Sequence, residues 1–527
     1  MIRPQQAGSI APVESTGRPS QVTDTAKKSY GQILKSSALI GSSSMLNIGL
    51  GIVRTKAMAV LLGPAGIGLL GLYGSIADLT RSVAGMGINS SGVRQIAEAV
   101  GSGDTRRIGR TVTALRRVAL CTGALGSLLL CAFSRPVSRL TFGDAEHTGS
   151  VALLAAAVFF GDISAAQAAL VQGMRRVADL ARMSVLGALY GTLFSIPIVY
   201  IYGERGVVPS LVCVAAMGIA TSWWYARKIK VERIARSMRE DAHEVSALLK
   251  LGVVFMASGL MTMGMAYLAR TIILRKIGVE AAGFYQAAWA LSGIYVGFIL
   301  QAMGADFYPR LTAAASDNVQ CNRLVNEQAE VSLLMAGPGV LATLTFAPIV
   351  IQLFYSTKFE PAVEILRWNC LGMLLQVVSW PMGFIVLAKG ERNIFFWAEL
   401  ASSVAYVGMV WGGVLAFGLL GAGVAFFGLY AIHWIGIYVI VGRLSGFRWS
   451  ESNRRLASVF LPLVASLFAG WYFLPRVATI VLGGTATLLS GIYSMKRICQ
   501  LVPLERLPRS VRSLLRVLKL TPPDVVA

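Results

Sequence analysis

The sequence predicts an all-α integral membrane protein with about fourteen transmembrane helices. They form two six-helix lobes related by a pseudo-two-fold axis, followed by two extra C-terminal helices. Three observations predict this. The 527 residues are 55% hydrophobic and only 14% charged, whereas a soluble chain carries about a quarter charged residues. Apolar runs of about 20 residues, enough to cross the hydrocarbon, recur along the whole length. The loops between them alternate between strongly basic and nearly uncharged.

The elements follow in order. Residues 1–30 are polar and rich in Ser, Thr, Pro and Gly, and read as a disordered cytosolic tail. No apolar run follows a basic start there, so no cleaved signal peptide is indicated. The N-lobe, residues 31–226, holds apolar spans at 36–58, 66–90, 111–133, 150–172, 183–202 and 206–225. The last two are divided only by a short hinge at 203–205. Residues 227–249 are a basic, amphipathic cytosolic linker. The C-lobe, residues 250–442, holds spans at 251–274, 281–304, 330–354, 366–388, 394–417 and 420–441. The two extra spans, 456–475 and 477–494, lie within residues 455–494 and part at Pro475. Residues 495–527 form a basic cytosolic tail. In it Leu507, Val511, Leu514, Leu515 and Leu518 recur at helical spacing among Arg509, Arg512, Arg516 and Lys519. Such a helix lies on the anionic inner leaflet, so membrane lipids are one expected partner.

The formal net charge of +22 does not imply nucleic acid, because the cations are dealt out between spans rather than gathered in a soluble domain. Most of the 48 Lys and Arg fall on one set of loops and tails, among them Arg106, Arg107, Arg110, Arg175, Arg176, Arg227, Lys228, Arg443, Arg448 and Arg454. By the positive-inside rule that side is cytoplasmic. An even number of spans puts both termini there.

The two halves resemble each other at a shift of about 215 residues. Lys35 opens the first span and Gly63-Pro64-Ala65-Gly66-Ile67-Gly68 follows it. Lys250 opens the seventh, followed by Gly278-Val279-Glu280-Ala281-Ala282-Gly283. Each span carries a late cation, Arg54 and Arg270. Each following span ends in a Met-Gly pair, Met86-Gly87 and Met303-Gly304. Units with an even number of spans share one topology, so their axis runs along the membrane normal.

No Walker motif is present, and His147, His243 and His433 show no metal spacing. The six cysteines have no paired spacing and read as free packing residues. No cofactor is expected. No loop has room for a soluble catalytic domain, so the chain is not expected to be an enzyme.

Ionisable groups inside a span are costly and face a cavity or a partner. At about 1.5 Å per residue, Asp162 sits near the midplane of its span. Asp78 and Arg81 lie well inside the second span and share a helix face at i,i+3. Arg54, Lys56, Arg270 and Arg275 lie toward the outer ends of theirs. Two readings stand for each. The outer cations either snorkel to headgroups or line a cleft. Asp78 and Arg81 are either a neutralised structural pair or part of a site. Glu399 and Arg367 suit interfacial positions, and His433 suits a bond to a neighbouring helix. The functional reading gathers Arg54, Arg81 and Arg270 around one cleft for an anionic headgroup, since the planar arginine fork bonds two phosphate oxygens at once.

Several segments together resemble the polysaccharide flippase family, close to the O-antigen and enterobacterial-common-antigen translocases of the MATE-like superfamily. They are Lys56-Ala57-Met58-Ala59-Val60 leading into the glycine segment 63–68, and Gln172-Gly173-Met174-Arg175-Arg176. They continue with Tyr308-Pro309-Arg310-Leu311, Thr357-Lys358-Phe359-Glu360-Pro361-Ala362 and Leu387-Ala388-Lys389-Gly390. The resemblance spans about residues 30–445. It implies a bacterial inner-membrane flippase that moves undecaprenyl-pyrophosphate-linked oligosaccharide from the cytoplasmic to the periplasmic leaflet. It implies alternating access through a cationic central cavity, with polysaccharide polymerase or assembly proteins as further partners. On that basis Arg54, Lys56, Arg81 and Arg270 are the substrate-binding candidates. Asp78 and Asp162 are the proton- or ion-coupling candidates. The competing readings are a drug/cation antiporter of the same superfamily, which needs an acidic cleft, and a non-transporting scaffold of a synthesis complex, which needs none.

Overall fold

The computed structural model describes residues 19–229, 238–303 and 307–501, and every element among them is helical. The first helix, α1 (Pro19–Ala84), bends at Gly63 (φ 64°, ψ −169°) just before Pro64. The residue ahead of a proline is pushed out of helical geometry, and glycine takes this positive φ without steric cost. The bend therefore parts the expected first and second spans. The same helix takes in residues 19–30 of the expected tail. Pro19 sits in its first turn, where a missing N–H costs nothing. Residues 1–18 of that tail lie outside the described residues.

The second span ends at Ala84 rather than at 90. Met86 (φ 44°) and Gly87 (φ 64°) turn the chain left-handedly into α2 (Ile88–Ser102). No span was expected for α2 because its buried face is short and largely small or polar: Ile88, Ser91, Gly92, Gln95, Ile96 and Ala99. Its other face carries Arg94, paired with Glu98 at 3.0 Å. The N-lobe continues through α3 (Thr105–Ala132), α4 (Ser134–Thr141), α5 (Thr148–Gly173), α6 (Val177–Tyr202) and α7 (Val207–Ala226). A 3-10 turn at Gly203–Gly206 makes the expected hinge.

The C-lobe begins with α8 (Met238–Lys276). That helix starts inside the expected linker 227–249 and runs unbroken into the seventh span, because residues 238–250 hold no Gly or Pro to stop it. Residues 230–237 of the linker lie outside the described residues. Next come α9 (Val279–Ala302), α10 (Tyr308–Ala313), α11 (Asn318–Thr345), α12 (Ala347–Phe354), α13 (Ala362–Ala388), α14 (Arg392–Phe417) and α15 (Leu420–Ser445). The expected ninth span, 330–354, is broken in two. Between α11 and α12 the chain bends by 82°. Pro348, in the first turn of α12, has no N–H to carry the ladder across. At its other end α11 begins at Asn318, where the Asp317 carboxylate accepts the backbone N–H groups of Val319 (2.9 Å) and Gln320 (3.1 Å), a side-chain N-cap.

The extra helices are α16 (Glu451–Phe473) and α17 (Arg476–Leu501). The tail helix expected at 503–520 lies outside the described residues. By length and composition, nine helices among the described residues can cross a membrane, or ten if the bent pair α11–α12 counts as one. Two of the nine, Ser43–Ala84 and Val177–Ala226, are 42 and 50 residues long, about twice a single crossing. Both contain one of the glycine bends. The chain is thus a multi-pass membrane protein.

The lobes meet along α1, α8 and α9, and the repeat explains how. A Cβ at Gly68 would overlap the carbonyl oxygen of Val279, and a Cβ at Gly283 would overlap that of Pro64. The shift of about 215 residues carries Gly68 onto Gly283 and Pro64 onto Val279. The two contacts are reciprocal, as an isologous two-fold contact must be. On the far side of the C-lobe, α16 and α17 dock on α11. A Cβ at Gly337 would overlap the Phe460 ring, and one at Gly483 would overlap Thr345. Gly337→Val is therefore expected to destabilise the protein by about 1–3 kcal/mol, read as a lower melting temperature in detergent. Adding Phe460→Ala should recover part of the loss.

Candidate functional site

Between the lobes lies a cleft of about 350 Å³. One wall is polar and comes from the N-lobe: Asp78, Arg81 and Ser82 of α1, Asn89 and Ser90 of α2, and Asp162 of α5. The facing wall is α8, with Met256, Gly259 and Met263. Arg81 forms an ion pair with Asp78 one turn before it, and both side chains are close to half exposed. The arginine also lies against α5, where a Cβ at Gly161 would stand 2.8 Å from its Nη1. The next residue, Asp162, is only 3% exposed. Gly85 and Gly123 lie next to its carboxyl: a Cβ on Gly85 would lie 3.6 Å from Oδ1, and one on Gly123 would lie 3.7 Å from Oδ2. That Oδ2 is buried without a hydrogen-bond partner, so the site holds an unmet acceptor beside a cation.

Arg81, Asp78 and Asp162 are thus brought together, and the other three candidates are not. Arg54 lies against α6, where a Cβ at Gly191 would come within 3.1 Å of its Nη1. Lys56 donates to the backbone carbonyl of Gln352 on α12 at 2.5 Å. Arg270 is 9% exposed and is held inside the C-lobe. Its Nε donates to Gln286 Oε1 (2.8 Å) and its Nη1 to the Ala266 carbonyl (3.1 Å). Gln286 in turn abuts Gly71 of α1, ten residues from Arg81 and so about 15 Å away along the helix. The expected gathering of three arginines in one cationic cavity does not occur. Neighbouring helices claim two of them, and the third keeps two carboxyls for company.

The lobe ends remote from the basic loops are tied by further groups. Arg275 does more than snorkel: its Nη1 donates to the Arg139 carbonyl of α4 at 2.9 Å. Thr141 of α4 and Tyr267 of α8 share a hydrogen bond of 2.7 Å. Within the N-lobe, Tyr73 bonds His147 Nδ1 at 2.9 Å. No motif marks α4, which is short and carries Arg135 and Arg139 one turn apart. Elsewhere His433 meets Ser402 of the neighbouring helix at 3.4 Å. Arg367 pairs with Glu364 and stacks at 3.8 Å on Trp471.

With this geometry in place, the chain can be set beside known proteins. A family described as "Polysaccharide biosynthesis protein" matches residues 57–364. The lipid III flippase of Escherichia coli (strain K12) is 22% identical over 409 residues, which cover 76% of this chain and 96% of that one. A multidrug resistance MATE family transporter of the MOP superfamily, solved in an inward-facing conformation, aligns with a TM-score of 0.65 at 16% identity. That alignment covers 76% of this chain and 95% of the transporter. The lipid II flippase MurJ, in an inward closed conformation, aligns with a TM-score of 0.64 at 13% identity over 88% and 99% of the two chains. Both structural likenesses are likenesses of fold.

Proposed function

Because the chain belongs to the polysaccharide biosynthesis protein family, we propose that it flips a lipid-linked glycan, undecaprenyl-pyrophosphate-linked oligosaccharide. The cargo moves from the cytoplasmic to the periplasmic leaflet of a bacterial inner membrane, by alternating access through the interlobe cleft. The basic face and both termini are then cytoplasmic. Likeness to a lipid III flippase along nearly all of that relative's length supports this reading.

The observation that carries the mechanism is Arg81 set beside Asp78 and Asp162 at the cleft wall. The cargo's diphosphate takes Arg81 from Asp78 by offering two oxygens to its fork. Asn89, Ser90 and Ser82 line the same wall and suit sugar hydroxyls. Arg81 counts +1 and each ionised carboxylate −1, so the trio is −1 and rises to 0 when Asp162 takes up a proton. Protonation therefore favours the anionic cargo, and the carboxyls set affinity. The membrane potential sets direction, because each negative charge moved to the positive outer side gains about 2.3 kcal/mol per 100 mV.

Reconstitution tests the proposal. Vesicles holding the purified chain should move undecaprenyl-pyrophosphate-linked glycan between leaflets faster than protein-free vesicles, and an inside-negative potential should speed export. Equal rates with and without the chain would overturn it. Cargo binding is also expected to tighten as pH falls, and Asp162→Asn to flatten that dependence. An unchanged pH profile in this variant removes Asp162 from the site.

One observation favours a second reading: in the cleft carboxyls outnumber cations two to one. A drug/cation antiporter would use them to bind cargo directly. Efflux of an organic cation from the same vesicles, without glycan movement, would establish that reading instead. A scaffold that moves nothing has no use for a polar cleft between its lobes.

A further inference from the structure

A second cavity lies away from the cleft, between the C-lobe and α16. Its volume is about 300 Å³, and it is more enclosed than the cleft. Its walls are apolar: Leu333 of α11, Leu374 and Val378 of α13, and Phe460 and Leu461 of α16. Its polar groups collect at one end, on the basic face, where Trp449, Asn453 and Arg454 form the mouth.

The mouth is built rigidly. Asn326 of α11 accepts the Ser450 backbone N–H at 2.8 Å and donates to the Arg448 carbonyl at 3.0 Å. Asn453 donates to the Asn326 backbone carbonyl at 2.9 Å. Nearby acids are already engaged: Glu451 with Arg455, and Glu330 with Ser452 (2.6 Å) and Arg497 (3.7 Å). What remains unmet is a buried donor, the indole N–H of Trp449. Arg448 precedes Trp449 in the chain and Arg454 lines the same cavity, and both residues are exposed.

An apolar chamber of this kind offers water no partners. A buried N–H without an acceptor is destabilising. A ligand with a hydrocarbon chain and an oxyanion at one end answers both needs and neutralises the cations. We propose that the cavity holds part of one acyl chain of an anionic phospholipid from the basic-side leaflet. Its phosphate accepts from Trp449 and pairs with Arg454 and Arg448. The lipid then acts as a wedge between α16 and the C-lobe. A zwitterionic lipid fits less well, because its ammonium group meets the two arginines.

The test uses the full chain in detergent, stripped of lipid and then offered phosphatidylglycerol or phosphatidylcholine. Retained lipid is read by native mass spectrometry and stability by melting temperature. Phosphatidylglycerol is expected to be retained at least fivefold more than phosphatidylcholine and to raise the melting temperature. Ala457→Phe, which fills the chamber, should abolish retention. Arg454→Glu changes only an exposed side chain in the first turn of α16, so it remains informative if the filled variant fails to fold. It should erase the preference for phosphatidylglycerol. Equal retention of the two lipids overturns the proposal, as does unchanged retention in either variant. Preferential capture of undecaprenyl phosphate over phosphatidylglycerol assigns the chamber to a polyprenyl chain and overturns it too.

Discussion

Arg81→Ala is expected to slow flipping of the lipid-linked glycan by tenfold or more in reconstituted vesicles, with little loss of melting temperature. The expected size follows from chemistry. A hydrogen bond to a charged group contributes about 1.5–3 kcal/mol, and each 1.4 kcal/mol is a factor of ten. Removing a two-pronged contact to a diphosphate thus weakens binding by about tenfold to a hundredfold. The fold should tolerate the change because the side chain is about 40% exposed and its ion partner Asp78 about 45%, and pairs that exposed contribute little to stability. Arg81→Lys keeps the charge but loses the fork, so it should fall between wild type and alanine. Arg81→Ala alone also leaves Asp78 as an unpaired acid that repels the cargo. The double variant Arg81→Ala/Asp78→Ala removes that repulsion, so any deficit it retains belongs to the lost guanidinium. Wild-type flipping in the double variant would end the assignment of Arg81 to the cargo.

How much of this site the sequence disclosed depends on which coordinate is asked for. Position along the helix was half legible. Asp162 sits mid-way along α5, whereas Arg81, expected well inside its span, falls in the last turn of α1 because that helix ends at Ala84; both line one cleft wall. Direction around the helix axis was not legible. Arg54 and Lys56 are two residues apart, and one side chain goes to α6 while the other reaches α12. Both lie on a helix whose apolar character runs nearly all the way round, so no stripe tells which face is inward. Arg270 illustrates a different gap. Its partner Gln286 is on the next helix, and a neutral amide gives no charge pattern to betray the pairing. The glycines at 85, 123 and 161 were visible as letters. Their place against Arg81 and Asp162 depends on helix crossings that a sequence does not display. Bends were half legible. The sequence marks the break at Gly63-Pro64 between two spans, whereas the break at Phe346 is hidden because the residues on both sides are apolar.

Gly68→Leu is expected to abolish flipping by a different route, through the contact between the lobes. Its added Cβ would overlap the Val279 carbonyl oxygen and stand 3.0 Å from the Gly283 nitrogen. Both obstacles are backbone, so no rotamer change relieves them and the helices themselves must part. Overpacking of this kind costs about 1–3 kcal/mol, a shift of roughly five- to hundredfold against the state with its outer ends joined. That state is also held by Thr141 with Tyr267, by Arg275 on the Arg139 carbonyl and by Lys56 on the Gln352 carbonyl. A bridge made by a short bis(methanethiosulfonate) reagent, which forms a disulfide with each thiol and expels sulfinate, across Thr141→Cys and Tyr267→Cys, with the six free natural cysteines replaced, therefore reports closure. Bridging should arrest flipping until the reagent is cleaved, and its yield should fall several-fold when Gly68→Leu is added. The two-fold relation makes a further demand. Gly283→Leu meets Pro64 as Gly68→Leu meets Val279, so the two variants should fail alike. Gly74, on the same helix with nothing within 4 Å of an added Cβ, should accept leucine without effect. A Gly68→Leu protein that bridges and flips like wild type would show that the lobes do not need this contact to close. The reciprocal packing would then record only the ancestry of the two halves and would have no part in transport.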